Sequence, residues 1–230
     1  MVDKPPARIL LKLSGGALKG ENSPFSPVSL QRICESIANT PIQWAIVVGA
    51  GNLIRGARNP WLDRVEADTM GMLATVLNAL ALRSCLVSLG KNVLIQSAID
   101  TQLTDSVSPR EAQAALADGA IVIFAGGTGS PLVTTDTAAA IRAVSIQADL
   151  LIKGSNVAGV YDGDPSRDSS ATLIHELTYD DFLAQRYGVM DQVAVEICRQ
   201  HAMPIEVFHL EYPDALASIA SGVKVGTRIQ

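Results

Sequence analysis

Short apolar runs that end in glycines and lead into a helical pattern recur along this chain, and they constrain its fold more than any other feature. The clearest example is residues 120–140, where an apolar run ends in glycines and an alanine-rich segment begins behind Asp136. The same order recurs at residues 9–16 and 45–51. Free backbone N–H groups at the positive end of a helix dipole bind anions. Three such loops predict a site for more than one phosphate group.

Strands alternating with helices predict an α/β fold. The predicted strands are residues 9–13, 45–48, 93–95, 121–124, 150–152, 205–208 and 224–229, and the predicted helices are residues 28–38, 67–88, 109–117, 135–145, 192–201 and 214–221. Right-handed crossovers then give a three-layer αβα sandwich with a mostly parallel central sheet. Apolar residues make up 48% of the chain and aromatic residues 4%, which fits a parallel sheet buried on both faces by Val, Ile, Leu and Ala. Residues 21–27 read as a proline-rich loop, and residues 157–168 as a hairpin or lid.

Composition argues against several classes of partner. The net charge is −5 without a run of Lys or Arg, so neither nucleic acid nor a membrane surface is expected as a partner. Three scattered cysteines suit no zinc site and indicate reduced thiols in a cytoplasm. Residues 1–6 lack the apolar core of a signal peptide. The apolar stretch 70–89 contains Asn78 and Arg83, which favours a buried helix over a membrane span.

The glycine loops match neither of the two commonest phosphate-binding signatures. Gly90-Lys91 is followed by Asn92, so no P-loop is present, and the glycines at 49 and 51 do not continue as a dinucleotide-binding fingerprint. Because ligands of open parallel sheets bind beyond the carboxyl ends of the strands, the loops should meet at one edge. The sequence therefore predicts a phosphate site of another class there.

Two lysines and one arginine are the candidate phosphate ligands. Lys12 lies inside the first apolar strand, where a buried ammonium needs a paired or ligand anion, unless the strand is an exposed edge. Lys153 repeats this arrangement after residues 150–152. Arg55 follows Gly51 by four residues, and its guanidinium group could bind a phosphate through two hydrogen bonds or form a surface ion pair.

Three acidic residues have both a structural and a functional interpretation. Asp68 and Asp136 lie near predicted helix starts, where a carboxylate interacts favourably with the positive end of the helix dipole. Asp191 precedes the helix predicted at 192–201 and is a natural N-cap. The histidines share no ligand spacing and are assigned no metal and no catalytic role.

Several motifs together carry a family resemblance over almost the whole chain. They are Gly-Asn-Leu-Ile-Arg-Gly at 51–56, Ala-Asp-Thr-Met-Gly-Met-Leu-Ala-Thr at 67–75, Gly-Thr-Gly-Ser-Pro-Leu-Val-Thr-Thr-Asp at 127–136 and Ala-Asp-Leu-Leu-Ile-Lys at 148–153. The chain resembles the bacterial uridylate (UMP) kinases of the amino acid kinase superfamily. The resemblance implies a single amino acid kinase domain over residues 1–230, with an acceptor-side lobe at about 1–140 and an ATP-side lobe at about 141–230. It also implies Mg-ATP-dependent phosphorylation of UMP to UDP in pyrimidine nucleotide biosynthesis.

The resemblance also implies roles for individual residues and partners. The implied catalytic residues are Lys12, Arg55, Asp136, Lys153 and Asp191. The implied ATP contacts are Lys12, Leu13, Ser14, Gly15, Gly51, Arg55, Ser155, Tyr161 and Asp164. The implied UMP contacts are Ala50, Asp68, Thr128, Gly129, Ser130, Pro131, Leu132, Val133, Thr134 and Thr135. Mg²⁺ would be carried by ATP, with no metal ligands assigned directly. A cytoplasmic homohexamer with GTP and UTP as candidate effectors is expected.

The sequence departs from the family pattern in four segments, at residues 15–16, 49–51, 153–156 and 157–160. Gly16, Asn156 and Ala158 replace a glutamate, a lysine and an aspartate, and Ala50 replaces a glycine, so its methyl group is expected to tighten the acceptor-phosphate pocket. Residues 20–25 align with the segment linked to GTP activation.

Two rival functions stay open at this point. One is a kinase of the same fold with a carboxylate or carbamate acceptor. Asp68 and residues 128–130 argue against it, because they suit a ribose and the edge of a base. The other is a non-catalytic nucleotide- or oxyanion-binding storage or regulatory protein. Retention of all five implied catalytic residues disfavours it, whereas the changes within residues 153–158 favour it.

Overall fold

A computed structural model describes residues 5–54, 61–163, 165, 167–168 and 170–230. The strands are β1 (Arg8–Leu13), β2 (Gln43–Val48), β3 (Val93–Ser97), β4 (Asp105–Ser106), β5 (Ile121–Ala125), β6 (Leu150–Ser155), β7 (Val160–Tyr161), β8 (Leu173–Ile174), β9 (Glu176–Leu177), β10 (Ile205–His209) and β11 (Thr227–Ile229). The helices are α1 (Pro27–Ala38), α2 (Arg64–Ser88), α3 (Pro109–Ala117), α4 (Thr135–Ser145), α5 (Tyr179–Gln185), α6 (Gln192–Gln200) and α7 (Ala215–Ala220), with a 3₁₀ turn at Gly15–Leu18.

Nine of these strands form one sheet in the order β4-β3-β5-β2-β1-β6-β10-β11-β9. Neighbouring strands are parallel except for β10 and β11, which are antiparallel. The predicted mostly parallel sheet is therefore confirmed. Since β1 is the central strand, Lys12 is not the edge-strand lysine that the sequence left as an alternative.

Helices cover both faces of the sheet, and each face has its own hydrophobic core. Ile9, Leu11 and Leu13 of β1 pack into a core shared with α1, α2 and α7. Leu10 points the other way, into a core shared with α3, α4, α5 and α6. Side chains two residues apart along a strand lie on the same face. Lys12 is thus directed toward α4 and α6, and the αβα sandwich is confirmed.

The predicted elements are present, and most boundaries differ by only a few residues. The hairpin expected within residues 157–168 is the antiparallel pair of β7 and β8, which extends further along the chain, to Ile174. The sequence prediction omitted α5, a helix of seven residues that begins behind the N-cap Thr178. It also omitted β4 and β7 to β9, which have two residues each and are too short for a periodic pattern.

The long helix α2 has two apolar faces with different surroundings. Within the described ranges it is the one helix whose length and composition would allow it to cross a membrane. One face carries Leu82 and Leu86, which are fully buried in the core. On the other face Leu73 and Leu77 are each 54% exposed. The prediction of a buried helix is therefore correct for only one of its faces.

Candidate active site at the carboxyl ends of β1 and β6

Two lysines on adjacent strands share one carboxylate. Lys12 and Lys153 lie directly opposite each other in the register of β1 and β6. Asp136, in the first turn of α4, lies between their ammonium groups. Lys12 Nζ forms an ion pair with Asp136 Oδ1 at 2.8 Å. Lys153 Nζ donates a hydrogen bond to Asp136 Oδ2 at 2.5 Å. The sequence prediction that a buried Lys12 needs an anion is met by Asp136.

Burial and charge set the protonation of this Lys12–Asp136–Lys153 cluster. Burial alone would raise the pKa of the Asp136 carboxyl, but the charges of Lys12 and Lys153 outweigh it and hold that pKa below its ordinary value. Burial also lowers the pKa of the Lys153 ammonium; the charge of Lys12 lowers it further, against the opposing effect of the Asp136 and Asp191 carboxylates. An incoming anion beside both lysines would therefore relieve their repulsion.

Asp191 connects α6 to the start of α4. Its Oδ1 accepts the backbone N–H of Val193 at 3.0 Å, as an N-cap does. Its Oδ2 accepts the hydroxyls of Thr134 and Thr137 at 2.7 and 2.8 Å. The backbone N–H of Asp191 donates to Asp136 Oδ2 at 3.3 Å. Asp191 is therefore both the N-cap of α6 and a neighbour of the charge cluster.

The glycine loops after β1 and β2 touch each other, as predicted from their positions after strands. A Cβ atom on Gly15 would come within 2.5 Å of Gly51 N and 2.6 Å of Gly49 O. Within the described part of the chain, the backbone N–H groups of Gly15 and Ala50 have no protein acceptor. Two free donors beside the lysine cluster suit a phosphate group.

A cavity of about 1050 Å³ opens beside the charge cluster. Four residues predicted as ATP contacts line it, namely Lys12, Ser14, Ser155 and Tyr161, together with Lys153. Two of the positions that depart from the family pattern, Gly16 and Asn156, line it too. Its size and mixed lining suit a nucleotide.

Other predicted ATP contacts lie beside this cavity or outside the described residues. The side chain of Leu13 is fully buried in the core, so only its backbone could meet a ligand. Gly15 and Gly51 belong to the touching glycine loops. Arg55 and Asp164 fall outside the described residues.

The far wall of the cavity comes from residues that sequence reasoning missed. Arg32 of α1 contributes to it, as do Tyr187 and Val189 between α5 and α6, and His209 and Glu211 at the end of β10. A signal existed for His209, because a strand was predicted at 205–208 and its carboxyl end lies at the same sheet edge as Lys153. Arg32 follows no glycine loop, and the segment between α5 and α6 lacks a strand pattern.

Eight of the predicted UMP contacts, residues 128–135, form an open rim that leads directly to Asp136. Gly129, Ser130, Leu132, Val133 and Thr134 are exposed, and Thr128, Pro131 and Thr135 are half-buried. Asp68 Oδ2 accepts the backbone N–H of Leu132 at 2.9 Å, and Arg64 Nε donates to the same carboxylate at 3.0 Å. Leu132 has a φ of 66°, a left-handed conformation that is rare for leucine. Asp68 and this rim are thus parts of one surface.

The chain is similar to known proteins along nearly its whole length. Residues 7–209 match the amino acid kinase family. A uridylate kinase from Stutzerimonas stutzeri (strain A1501) is 45% identical and covers 97% of this chain and 93% of that protein. A uridylate kinase from Psychrobacter arcticus is 44% identical, with 100% of this chain and 99% of that protein covered.

Two solved structures share the fold closely. The crystal structure of a UMP kinase from Bacillus anthracis has a TM-score of 0.94 and 37% identity, covering 99% of this chain and 97% of that one. A UMP kinase from Ureaplasma parvum has a TM-score of 0.91 and 32% identity, covering 99% and 100%. With its lysine pair, its touching glycine loops and these relatives, the chain belongs to the amino acid kinase family.

Proposed function

We propose that this protein is a UMP kinase that transfers the γ-phosphoryl group of ATP to UMP and releases UDP and ADP. The observation that carries the proposal is the Lys12–Asp136–Lys153 cluster, whose two lysines line a nucleotide-sized cavity and whose carboxylate directly follows the largely exposed residues 128–135. Uridylate kinases about 45% identical to the chain support UMP as the acceptor.

The residues of the site suit phosphoryl transfer by positioning and electrostatics. A phosphate oxygen of UMP bonds to the γ-phosphorus of ATP, and the bond between that phosphorus and the β–γ bridging oxygen breaks. Lys12 and Lys153 face the charge that spreads over the transferring oxygens. We assign the glycine-loop N–H groups of Gly15 and Ala50 to the phosphate chain, because they have no acceptor in the described ranges.

No side chain is required as a general base. The second pKa of a phosphate monoester is about 6, so UMP is largely a dianion at neutral pH and needs no deprotonation. Asp136 is already engaged by two lysines, and its pKa lies below the ordinary value, so it is a poor base. We therefore assign Asp136 to the positioning of the two ammonium groups, and Asp191 to the positioning of α4 against α6.

A magnesium ion carried by ATP fits this donor set. Both oxygens of Asp136 and of Asp191 are engaged by protein groups. Mg²⁺ commonly uses one or two carboxylates, waters and substrate phosphates rather than an all-protein cage. Because these oxygens are engaged, the ion would be held mainly by the phosphates of ATP and by waters beside Asp136 and Asp191, and it would neutralise the phosphate oxygens.

The acceptor side is proposed to recognise the nucleoside of UMP. Asp68 offers a carboxylate that a ribose hydroxyl can donate to, and its bond to Leu132 N–H ties it to the rim. The hydroxyls and backbone groups of residues 128–135 are available to a base edge. Discrimination between UMP and CMP would depend on this rim, because the lysine cluster contacts only phosphate.

Turnover with a panel of acceptors tests the function. Purified protein with Mg-ATP should form ADP fastest with UMP, far more slowly with CMP, dUMP and GMP, and not at all with glutamate. Removal of divalent metal by EDTA should stop turnover, and added Mg²⁺ should restore it. Tight nucleotide binding without turnover of any acceptor would favour the non-catalytic binding protein instead.

We further propose a cytoplasmic homohexamer built from dimers that pair through the exposed face of α2. Met70, Leu73 and Leu77 on this face are 43 to 54% exposed, and their spacing of three and four residues makes them neighbours on the helix surface. The family alignment of residues 20–25 makes GTP a candidate activator and UTP a candidate inhibitor, to be measured as changes in turnover.

The double variant Leu73→Glu, Leu77→Glu should lower the molar mass measured by light scattering, because charge on the face would oppose its burial. Val28→Glu is the matched control, since Val28 is a lone apolar side chain that is 79% exposed on α1. An unchanged mass in the double variant would place the subunit contact elsewhere.

A further inference from the structure

A buried amide in the middle of the apolar helix α2 lies behind the glycine loops. Asn78 is fully buried, with none of its surface exposed. It has no part in the proposed binding of ATP or UMP. A buried side-chain amide is unfavourable unless its donors and acceptor are all satisfied. Its partners therefore show what holds it at this position.

Asn78 forms a reciprocal amide pair with Asn52, which follows the second glycine loop. Asn78 Nδ2 donates to Asn52 Oδ1 at 2.7 Å, and Asn52 Nδ2 donates to Asn78 Oδ1 at 2.9 Å. Each Nδ2 also donates to a backbone carbonyl, Asn78 to Gly49 O at 2.7 Å and Asn52 to Pro24 O at 2.9 Å. Because carbonyls only accept, these two bonds fix the orientation of both amides. All four N–H donors of the pair are used.

The amide pair joins three segments that meet at the site. Gly49 belongs to the loop after β2, and its N–H donates to Leu13 O at the end of β1. The loop after β1 packs onto the pair itself, because a Cβ atom on Gly15 would come within 2.7 Å of Asn52 Oδ1. Pro24 belongs to the proline-rich loop before α1. The position of the free N–H groups of Gly15 and Ala50 thus depends on this pair.

We propose that Asn78 and Asn52 are positioning residues for phosphoryl transfer. They act through the backbone of the two glycine loops and contact no substrate. This inference rests on the proposed kinase function. Helix α2 supplies a rigid support, so that a donor on the helix fixes a carbonyl of the loop, and the loop in turn presents its N–H groups to the phosphates.

The side-chain chemistry at position 78 should be specific. Leucine would leave Gly49 O and both polar groups of Asn52 without their partner. Aspartate has the shape of asparagine but would place an acceptor against the two acceptors Gly49 O and Asn52 Oδ1. The loop would then move away from α2. A displacement of about 1 Å in a catalytic site can reduce the rate by about 100-fold.

The Asn78→Asp variant tests the proposal directly. We expect kcat to fall by about 10- to 100-fold, while the KM values for ATP and UMP change by less than about threefold, because each substrate keeps its own side-chain contacts. Val76→Ala is the matched control, since it truncates a buried apolar side chain of the same helix that belongs to the hydrophobic core and not to the amide pair. It should lower Tm to a similar degree with kcat unchanged.

Two further measurements keep the proposal open to refutation if Asn78→Asp does not fold. Asn52→Ala, at a half-buried position, should lower kcat similarly, and exchange of the Gly49 amide, which donates to Leu13 O, should accelerate relative to β2. Normal kcat in Asn52→Ala, or unchanged exchange, would overturn the inference. If the wild-type protein turns over no acceptor, the proposed function fails, and the exchange measurement still decides whether the amide pair holds the loop.

Discussion

Asparagine at position 136 is expected to lower kcat by about 100- to 1000-fold. Displacement of a catalytic group by about 1 Å can cost about 100-fold in rate, and loss of one preorganised electrostatic group costs about 100- to 1000-fold. In this site two ammonium groups, on Lys12 and Lys153, would lose the carboxylate between them. The variant is measured by steady-state turnover of UMP. Asp180→Asn is the control, because it removes the carboxylate of an exposed ion pair with Arg199 and should leave kcat unchanged.

The pH dependence of the Asp136→Asn variant distinguishes positioning from proton abstraction. No acid limb should disappear or appear, because the carboxylate is not the base. The basic limb should move to lower pH, since the charge of Asp136 raises the pKa of Lys153 and its loss lowers that pKa further. The stabilising contribution of the carboxylate is present above pH 3.8 and is lost as the pH falls through its lower folded-state pKa. Wild-type kcat in the variant would refute the assignment.

Methionine in place of Lys12 is expected to lower kcat by about 1000-fold or more. A cation that faces the transferring phosphoryl group contributes about 10³- to 10⁵-fold in enzymes of this reaction class. Methionine keeps much of the length of the side chain and removes only the charge. Lys224→Met is the control, since it removes an exposed ion pair with Glu176 at 2.8 Å. More than a tenth of wild-type kcat in Lys12→Met would argue against a phosphate contact.

Combining both substitutions separates stability from catalysis. In Asp136→Asn two buried cations repel each other, and Lys12→Met removes one of them. The double variant should therefore unfold at a higher urea concentration than Asp136→Asn alone. Its kcat should be no higher, because the transferring group would lose a cation as well as its positioning partner. Recovery of activity in the double variant would mean that Lys12 serves only to balance Asp136.

The sequence was sufficient to predict the sandwich and the side of the sheet where the site lies. Strand length, glycine turns and helix starts are local properties, and the convergence of loops follows from parallel pairing. The sequence predicts that Lys12 needs an anionic partner, but it does not predict which residue supplies that anion. Whether α4 brings Asp136 to Lys12 depends on the packing of two layers, which no local pattern encodes.

Other parts of the site were outside the reach of sequence patterns for separate reasons. The cavity wall around Tyr187 comes from a segment between two short helices, where burial and not periodicity decides the conformation. The pairing of Asn52 with Asn78 joins residues 26 positions apart, and an asparagine in a helix reads equally well as a solvent contact. Nothing in the sequence indicates the left-handed backbone conformation of Leu132, because glycine is the residue that usually adopts it.

The register of Lys12 against Lys153 has a consequence for how such an enzyme can change its acceptor. Neighbouring strands are about 4.8 Å apart, and that spacing cannot be altered without breaking the ladder between β1 and β6. The proposed reaction centre is thus fixed by the sheet, whereas the proposed acceptor rim is an exposed loop, and exposed loops tolerate substitution. New acceptor specificities can therefore evolve, or be engineered, by substitutions within residues 128–135, while the sheet keeps Lys12 and Lys153 in place.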